Sequence, residues 1–340
     1  MVSGGAACDR VRAMRDAALA IDLGGTKLLV GLVDPNGRVL ARQRIATPPG
    51  GPEAVARAIR VLARSLRADA GAAGATISGA GVAVAGPTDH ERGVVYHPPN
   101  LAGWGRETSF GPLLARELEE TVQIENDANA AALGEAWVGA GRGVPDLVYI
   151  TVSTGIGGGL ILGGRLHRGA NGTAGEIGHV VVDPDGPQCH CGNRGCLEVF
   201  ASGTALARQA REAVGRGAPT SLQALAAHPN EITAAAVARA ARDGDALAAG
   251  LYREAGTRIG VALGNLVALL NPKMIIVGGG VSSAGDLLFH PLRAAMRARV
   301  YPRQALEVVV APAALGEDVG IIGAAALVHL GSADRAAGPT

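Results

Sequence analysis

The chain has 340 residues, of which 48% are hydrophobic and 18% charged, and its formal net charge is +1. This balance is typical of a folded globular protein, and the length allows one large or two medium domains. Because acids and bases are scattered and aromatic residues make up only 3%, the sequence excludes a basic surface for nucleic acid and a platform of rings for stacking bases.

The first elements in chain order are three predicted strands within residues 17–45, separated by GGT and by the turn DPNG. After the break TPPGGP, apolar residues recur at helical spacing from Glu53 onward. A buried strand at 79–86, a loop at 97–104, a helix near 111–120 and the short strand VQIE complete this part of the chain.

A second series of strand, glycine-rich turn and strand begins with LVYITVS, TGIGGG and GLILGG. Helices around 232–270 and a strand at 273–280 come next. They are followed by a helix near 283–299, the strand LEVVVA and a last helix near 318–330.

The two strand–turn–strand units lie about 130 residues apart, whereas solenoid repeats have periods of roughly 20–50 residues. We therefore predict an α/β fold of two related lobes around a central cleft. Residues 1–125 would form the first lobe and residues 126–317 the second. A C-terminal helix at about 318–340 is expected to return to the first lobe.

Two glycine-rich turns, DLGGTK at 22–27 and STGIGGG at 153–159, follow apolar strands. Glycine lets backbone N–H groups converge on an anion, and Thr26 and Thr154 add hydroxyls that can bind phosphate oxygens. One such turn alone favours a plain hairpin, but two at matching positions favour phosphate binding. There is no Walker loop and no G-x-G-x-x-G that opens a helix, which leaves a two-lobed nucleotide clamp. A third cluster, GGG at 278–280, would let an adenosine lie close to the backbone, although a strand-to-helix turn also favours glycine.

Five motifs in the order DLGGTK, ENDANAAALGE, STGIGGG, AGEIGH and CHCGNRGCLE make the chain resemble the ROK (repressor–ORF–kinase) family of sugar kinases and regulators. The resemblance extends over nearly the whole chain from about residue 18. It implies an actin/hexokinase-like (ribonuclease H-like) duplicated fold that binds ATP, with Mg²⁺, and a hexose. The predicted nucleotide and Mg²⁺ ligands are Asp22, Gly24, Gly25, Thr26, Lys27, Thr154, Gly155, Gly157, Gly158, Gly278, Gly279 and Gly280.

Three of the four cysteines, Cys189, Cys191 and Cys196, lie within eight residues. In a chain whose thiols stay reduced, this density predicts a tetrahedral zinc site, with three buried structural cysteines as the plainer alternative. Either His190 or His179 could be the fourth ligand. His190 stands between two ligands, where its side chain would tend to point away from the metal, and His179 is the ligand that the resemblance implies. Four protein ligands leave no position for a catalytic water, so the predicted zinc is structural.

Two carboxylates flank this motif, since Glu176 precedes His179 by three residues and Glu198 follows Cys196 by two. A metal that joins the two segments would bring these carboxylates toward one place, where they could bind several sugar hydroxyls. The zinc motif is thus predicted to hold a hexose pocket in shape.

The motif ENDANAAALGE follows a strand and predicts an alanine-rich helix. Asn126 or Asp127 would cap this helix, but capping needs only one of the pair. The resemblance makes Asp127 the general base that accepts the proton of the sugar hydroxyl during phosphoryl transfer. The hexose ligands that it implies are Gly86, Asn100, Asn126, Asp127, Glu176, His179 and Glu198.

The motifs PPNLAGW and VSTGIGGG look most like those of the family's bacterial glucokinases, so we expect glucose and ATP as substrates and glucose 6-phosphate and ADP as products. An N-acetylmannosamine or N-acetylglucosamine kinase is the alternative, because Glu176, His179 and Glu198 match those enzymes too. Pro87 departs from the residue that some amino-sugar kinases carry there. A sugar-responsive transcriptional regulator is less favoured, since about seventeen residues precede the first strand and show no helix-turn-helix pattern.

The sequence also predicts where the protein works. No apolar run reaches the roughly 20 residues that cross a bilayer, and the opening residues mix charges where a signal peptide is apolar. With Cys8 isolated near the N-terminus, no disulfide framework is indicated. We expect a cytoplasmic homodimer or homotetramer with no nucleic-acid or membrane partner, and polyphosphate in place of ATP stays open.

Overall fold

The computed structural model describes residues 16–72, 76–98 and 100–331. Cys8 and the part of the expected C-terminal helix beyond residue 331 lie outside these described residues. Within the described part of the chain, no helix is both long and apolar enough to cross a membrane.

Groups of strands and groups of helices follow one another along the chain. The strands are β1 (Asp16–Leu23), β2 (Lys27–Val33), β3 (Val39–Ala46), β4 (Thr76–Val84), β5 (Thr88–Asp89), β6 (Val94–Tyr96), β7 (Glu107–Thr108), β8 (Val122–Asn126), β9 (Leu147–Val152), β10 (Ile156–Leu162), β11 (Arg165–Leu166), β12 (Met274–Gly278) and β13 (Val309–Pro312). The α-helices are α1 (Gly51–Ala72), α2 (Phe110–Leu118), α3 (Asp127–Val138), α4 (Glu198–Ala201), α5 (Gly203–Gly215), α6 (Ala234–Arg242), α7 (Ala246–Leu270), α8 (Asp286–Arg297), α9 (Pro302–Glu307) and α10 (Val319–Leu330).

The described residues form two compact units. The first unit contains the chain up to Asp146, then Gly159–Gly175, and then the chain from Ala314 onward. The second contains Leu147–Gly158 and Glu176–Ala313.

Five strands in the order β3-β2-β1-β4-β8 form the sheet of the first unit. β1 runs antiparallel to β2 and parallel to β4. Successive side chains of a strand point to opposite faces, so the two faces of β1 pack into two different apolar cores. Leu19 and Ile21 join the large apolar core that includes Ile59 of α1, whereas Ala18 and Ala20 join the core that includes Ala324 of α10.

Small residues let α10 lie very close to the sheet and to α3. A Cβ on Gly81 of β4 would overlap the carbonyl group of Ala324, and a Cβ on Gly323 would overlap the carbonyl group of Ala130. Gly134 makes the reciprocal approach, because its Cβ would stand 3.0 Å from the Gly323 nitrogen. The helix that begins at Asp127 is therefore held in place by backbone contact with α10.

We expect Gly323→Ala to destabilise the protein by about 1–3 kcal/mol, because the added methyl group would push α10 away from α3. Elsewhere in a helix the same change stabilises, by up to about 1 kcal/mol, because glycine loses more backbone entropy on folding. Gly250→Ala in α7 is the matched control, since nothing lies within 4 Å of the position of its Cβ. Urea unfolding measures both variants, and a Gly323→Ala variant as stable as Gly250→Ala would contradict the close contact.

A second five-stranded sheet has the order β11-β10-β9-β12-β13. β12 is parallel to both β9 and β13. The predicted strand LEVVVA is only partly correct, because Leu306 and Glu307 belong to α9 and the strand begins at Val309. Leu306 and Glu307 are helical rather than extended because Pro302, in the first turn of α9, favours a helix start.

Candidate functional site

The first glycine turn joins β1 to β2 and is closed by one backbone and one side-chain hydrogen bond. The Gly24 nitrogen donates to the Lys27 carbonyl at 3.0 Å, and the Thr47 hydroxyl donates to the Gly24 carbonyl at 2.6 Å. A Cβ on Gly25 would stand 2.5 Å from the Asn100 Cβ and 2.6 Å from the Asn100 carbonyl oxygen. The turn therefore has room only for glycine at position 25, and Asn100, a predicted sugar ligand, lies directly against it.

Asp22 and Lys27, both predicted nucleotide or Mg²⁺ ligands, form an ion pair of 3.0 Å between Oδ2 and Nζ. A Cβ on Gly320 would come within 2.5 Å of the Asp22 carboxyl carbon, so the carboxylate lies at the start of α10. The partial positive charge of a helix N-terminus stabilises an anion there. Asp22 thus lies beside the first turn, and its carboxylate is a donor type that suits Mg²⁺.

The start of α3 is capped by Asn126. Its Oδ1 accepts hydrogen bonds from the Ala128 and Asn129 nitrogens at 2.9 and 3.2 Å, and its Nδ2 donates to the Gly86 carbonyl at 3.1 Å. Asp127 Oδ1 also accepts from the Ala128 nitrogen, at 2.9 Å. Because Asn126 already serves both N–H groups, the helix start does not depend on Asp127.

Sequence reasoning missed two charged residues beside this helix start. Glu125 is 1% exposed, and its Oε2 accepts from Arg168 Nε at 2.6 Å. Its Oε1 accepts from the Asn126 nitrogen at 2.9 Å and from Asn129 Nδ2 at 3.1 Å. The available signal was a glutamate at the end of the apolar strand VQIE, since a fully buried carboxylate requires a partner.

The second glycine turn is shorter than predicted. β10 begins at Ile156, so the turn spans Ser153–Gly155, and the expectation of a turn as far as Gly159 is wrong. Gly157 and Gly158 lie within the strand, where sheet pairing rather than turn geometry fixes the backbone. Their role as nucleotide ligands stays a prediction, as does that of Thr154.

The third glycine cluster ends β12. Gly278 is the last residue of the strand, Gly279 has a φ of 86°, and Gly280 begins a short 3₁₀-helix. A Cβ on Gly279 would overlap the backbone of Val152, the residue that precedes the second turn. Glycine at 279 is therefore required twice, by its positive φ and by the close approach of β9.

The four predicted zinc ligands come together in the second unit. One ligand atom from each of His179, Cys189, Cys191 and Cys196 lies within 4.8 Å of all the others. His179 Nδ1 is 3.7 Å from Cys189 Sγ, and Cys191 Sγ is 3.6 Å from Cys196 Sγ. Ligands bound to a tetrahedral zinc at about 2.0–2.3 Å stand about 3.5–3.8 Å apart, so this donor set fits zinc.

The three thiols differ in environment. Burial raises the pKa of Cys196 to about 12 and also raises the pKa of Cys189. The backbone N–H of Asn193 lowers the pKa of Cys191, which is exposed. Because a metal binds the thiolate form, two of these groups would have to lose their protons against the effect of burial, and a cation at the centre would supply the compensating charge.

Carboxylates predicted to bind sugar lie next to this cluster. Glu176 Oε2 is 4.0 Å from His179 Nε2, and Glu198 Oε1 is 3.4 Å from His190 Nδ1. Ligand atoms of His179, His190 and Glu198 also lie within 4.8 Å of one another. The structure therefore brings Glu176, His179 and Glu198 together. His190, the alternative zinc ligand, has a side chain that is 72% exposed.

The chain is similar over most of its length to several known proteins. A glucokinase of Thermotoga maritima is 38% identical over 313 residues, which is 91% of this chain and 96% of that protein. The crystal structure of a ROK family glucokinase from Streptomyces griseus, in complex with glucose and AMPPNP, is 35% identical and covers 93% of this chain and 100% of its own, with a TM-score of 0.77. A ROK family transcriptional regulator, homologous to the E. coli MLC protein, is 27% identical with a TM-score of 0.85 and covers 94% of this chain and 78% of its own. The family model described as ROK matches residues 18–330, so the chain belongs to the ROK family and has its actin/hexokinase-like fold.

Proposed function

We propose that the protein is an ATP-dependent glucokinase. The observation that carries the proposal is the start of α3, where Asn126 accepts from two N–H groups, so that capping this helix does not require the carboxylate of the adjacent Asp127. Asp127 would orient the O6 hydroxyl of glucose and accept its proton while the new O–P bond forms and the bond from the γ-phosphorus to ADP breaks. The identity of 38% with a glucokinase over 91% of the chain supports this assignment.

The nucleotide ligands follow from the glycine turns. Backbone N–H groups of both turns, with the Thr26 and Thr154 hydroxyls, would bind the phosphates, and the GGG cluster at 278–280 would lie against the adenosine. Asp22 would hold Mg²⁺ through water. When bound, Mg²⁺ neutralises part of the phosphate charge. The remaining proposed ligands of the nucleotide are Gly24, Gly25, Lys27, Gly155, Gly157 and Gly158.

The proposed hexose ligands are Gly86, Asn100, Asn126, Asp127, Glu176, His179 and Glu198. Some of these residues also stabilise the local structure: Asn126 Nδ2 donates to the Gly86 carbonyl, and Asn100 packs against Gly25. Zinc bound by His179, Cys189, Cys191 and Cys196 would keep the segments of Glu176 and Glu198 in register with each other. Its function would be structural, with no step of the reaction on the metal.

The choice of sugar is tested by kcat/KM for glucose, mannose, N-acetylglucosamine and N-acetylmannosamine in one ADP-release assay. We expect glucose to be preferred over either N-acetyl sugar by at least tenfold, because a buried polar group left without a partner can cost up to ~10⁴-fold in specificity. An N-acetyl sugar that exceeds glucose tenfold would move the assignment to an amino-sugar kinase.

The same assay separates the kinase from the regulator to which the fold is similar. A kinase releases ADP only when sugar is added, and its products are ADP and a sugar phosphate in equal amounts. No sugar-dependent ADP release, together with a salt-sensitive shift of an operator fragment, would favour the regulator. Light scattering of the same preparation measures the assembly, for which we propose a homodimer or homotetramer.

A further inference from the structure

The second glycine turn is held by the segment that follows the last predicted zinc ligand. The Gly203 nitrogen donates to the Ser153 carbonyl at 2.7 Å. Thr204 donates to the Thr154 carbonyl twice, from its nitrogen at 3.3 Å and from its hydroxyl at 2.8 Å. The carbonyl groups of the turn are therefore fixed from one side, so its backbone cannot rotate independently of residues 203 and 204.

Glu198 completes this contact at the other end of the turn. Its Oε2 accepts from the Ile156 nitrogen at 2.7 Å, and a Cβ on Gly155 would stand only 2.5 Å from the same oxygen. The side chain is 18% exposed. A hydrogen bond to a charged acceptor in a partly buried place is stronger than a neutral one, so this contact orders the Gly155–Ile156 peptide.

The His179 segment approaches the same residue. A Cβ on Gly178 would overlap the carbonyl group of Ile156, so the backbone beside His179 packs on Ile156 while Glu198 binds its N–H. Both segments that carry predicted zinc ligands thus contact the residue at which the turn passes into β10.

We propose that Glu198 is a positioning residue for nucleotide binding, in addition to the sugar contact that family resemblance implies. It acts through the Ile156 N–H, which it fixes so that the N–H groups of Thr154 and Gly155 present one arrangement to the phosphates. The inference rests on the proposed kinase function. It differs from a sugar-ligand role because it requires Glu198 for nucleotide binding when no sugar is present.

The test is calorimetric titration of Mg²⁺·AMPPNP into the full-length protein without sugar. Glu198→Gln keeps an oxygen that can accept from Ile156, so its nucleotide affinity should stay within about threefold of the wild type. Glu198→Ala removes the acceptor, and we expect affinity about tenfold weaker, the size of one lost charge-assisted hydrogen bond. Glu212→Ala on α5, whose surface ion pair with Arg208 is far more exposed, is the matched control and should bind as the wild type does.

Several outcomes would overturn the proposal. If Glu198→Ala binds Mg²⁺·AMPPNP with wild-type affinity, the proposal is wrong. If it binds the nucleotide more tightly than the wild type, the proposal is also wrong, and the carboxylate instead repels the phosphates. Equal loss in Glu198→Gln and Glu198→Ala would also overturn the proposal, because glutamine retains the acceptor. A wild-type protein that binds no AMPPNP would refute the kinase function itself, which is a separate result.

A second variant keeps the test valid if Glu198→Ala does not fold. Thr204→Val removes only the hydroxyl bond to the Thr154 carbonyl, at an exposed position where folding tolerates the change. We expect its affinity for Mg²⁺·AMPPNP to fall about threefold with an unchanged melting temperature. Unchanged affinity in this variant would contradict the role of the 198–204 segment.

Discussion

Asp127→Asn is expected to fold normally and to bind glucose with nearly unchanged affinity. Its kcat should fall by ~10²–10⁴-fold, the usual contribution of a general base. The asparagine keeps the shape of the side chain and an oxygen for the Ala128 nitrogen, but it cannot accept a proton. Stopped-time ADP release gives kcat, and calorimetry gives the affinity for glucose. A near-normal kcat in this variant would show that Asp127 is only a part of the helix cap and not the general base.

Two controls separate chemistry from structure in this experiment. Asn126→Ala removes the acceptor of two N–H groups and should lower the free energy of unfolding by about 1 kcal/mol. Asp146→Asn alters another hydrogen-bonded aspartate of the first unit, whose Oδ1 accepts from the Gly163 nitrogen at 2.8 Å, and should keep kcat. A large loss of kcat in Asp127→Asn that Asp146→Asn does not share then points to the proton acceptor.

Cys191→Ser is expected to abolish tight zinc binding and to lower the melting temperature substantially. Structural zinc contributes ~10 kcal/mol or more to the folding of small metal sites. Cys191 is exposed, so the replacement leaves no cavity in the core, and any large loss of stability is attributable to the metal. Plasma emission analysis should find one zinc per chain in the wild type, and calorimetry measures the melting temperature.

Cys8→Ser is the control for this variant, since Cys8 stands outside the cysteine cluster in the sequence. It should leave both the zinc content and the melting temperature unchanged. Equal zinc content in Cys191→Ser and Cys8→Ser would refute the four-ligand site.

How well the sequence predicts the fold depends on whether the deciding forces are local. β1, the first glycine turn and β2 are predicted correctly, because apolar strands and a Gly-Gly turn are local signals and the two strands are neighbours in the sheet. The second turn is predicted too long. The extra glycines look like turn residues, but Gly159 lies in β10. Glycine is required there because a Cβ would stand 2.6 Å from the Ala132 Cβ and 3.0 Å from the Ala128 carbonyl oxygen. Such a requirement comes from a neighbouring helix and leaves no local mark.

The candidate site shows the same division. The ligand types of the predicted zinc site follow from residue chemistry and density, which are visible in the sequence. The contacts that orient the site join distant residues, as between Glu198 and the Ile156 nitrogen or between Arg168 and Glu125. No periodicity or spacing relates residues some 40 positions apart, so these hydrogen bonds appear only once the chain is folded.

The first unit is built from three separate stretches of the chain, which has a consequence for synthesis on the ribosome. The alanine face of its sheet is covered by α10, which begins at Val319, whereas the earlier part of the unit ends at Asp146, apart from Gly159–Gly175. Roughly 170 further residues must be translated before this helix exists, which takes on the order of 10–35 s at 5–20 residues per second. Throughout that interval the face formed by Ala18, Ala20 and Ala83 is without its covering helix. A nascent chain halted before residue 319 should therefore be captured by chaperones and cut readily by protease, while release of the complete chain should end both.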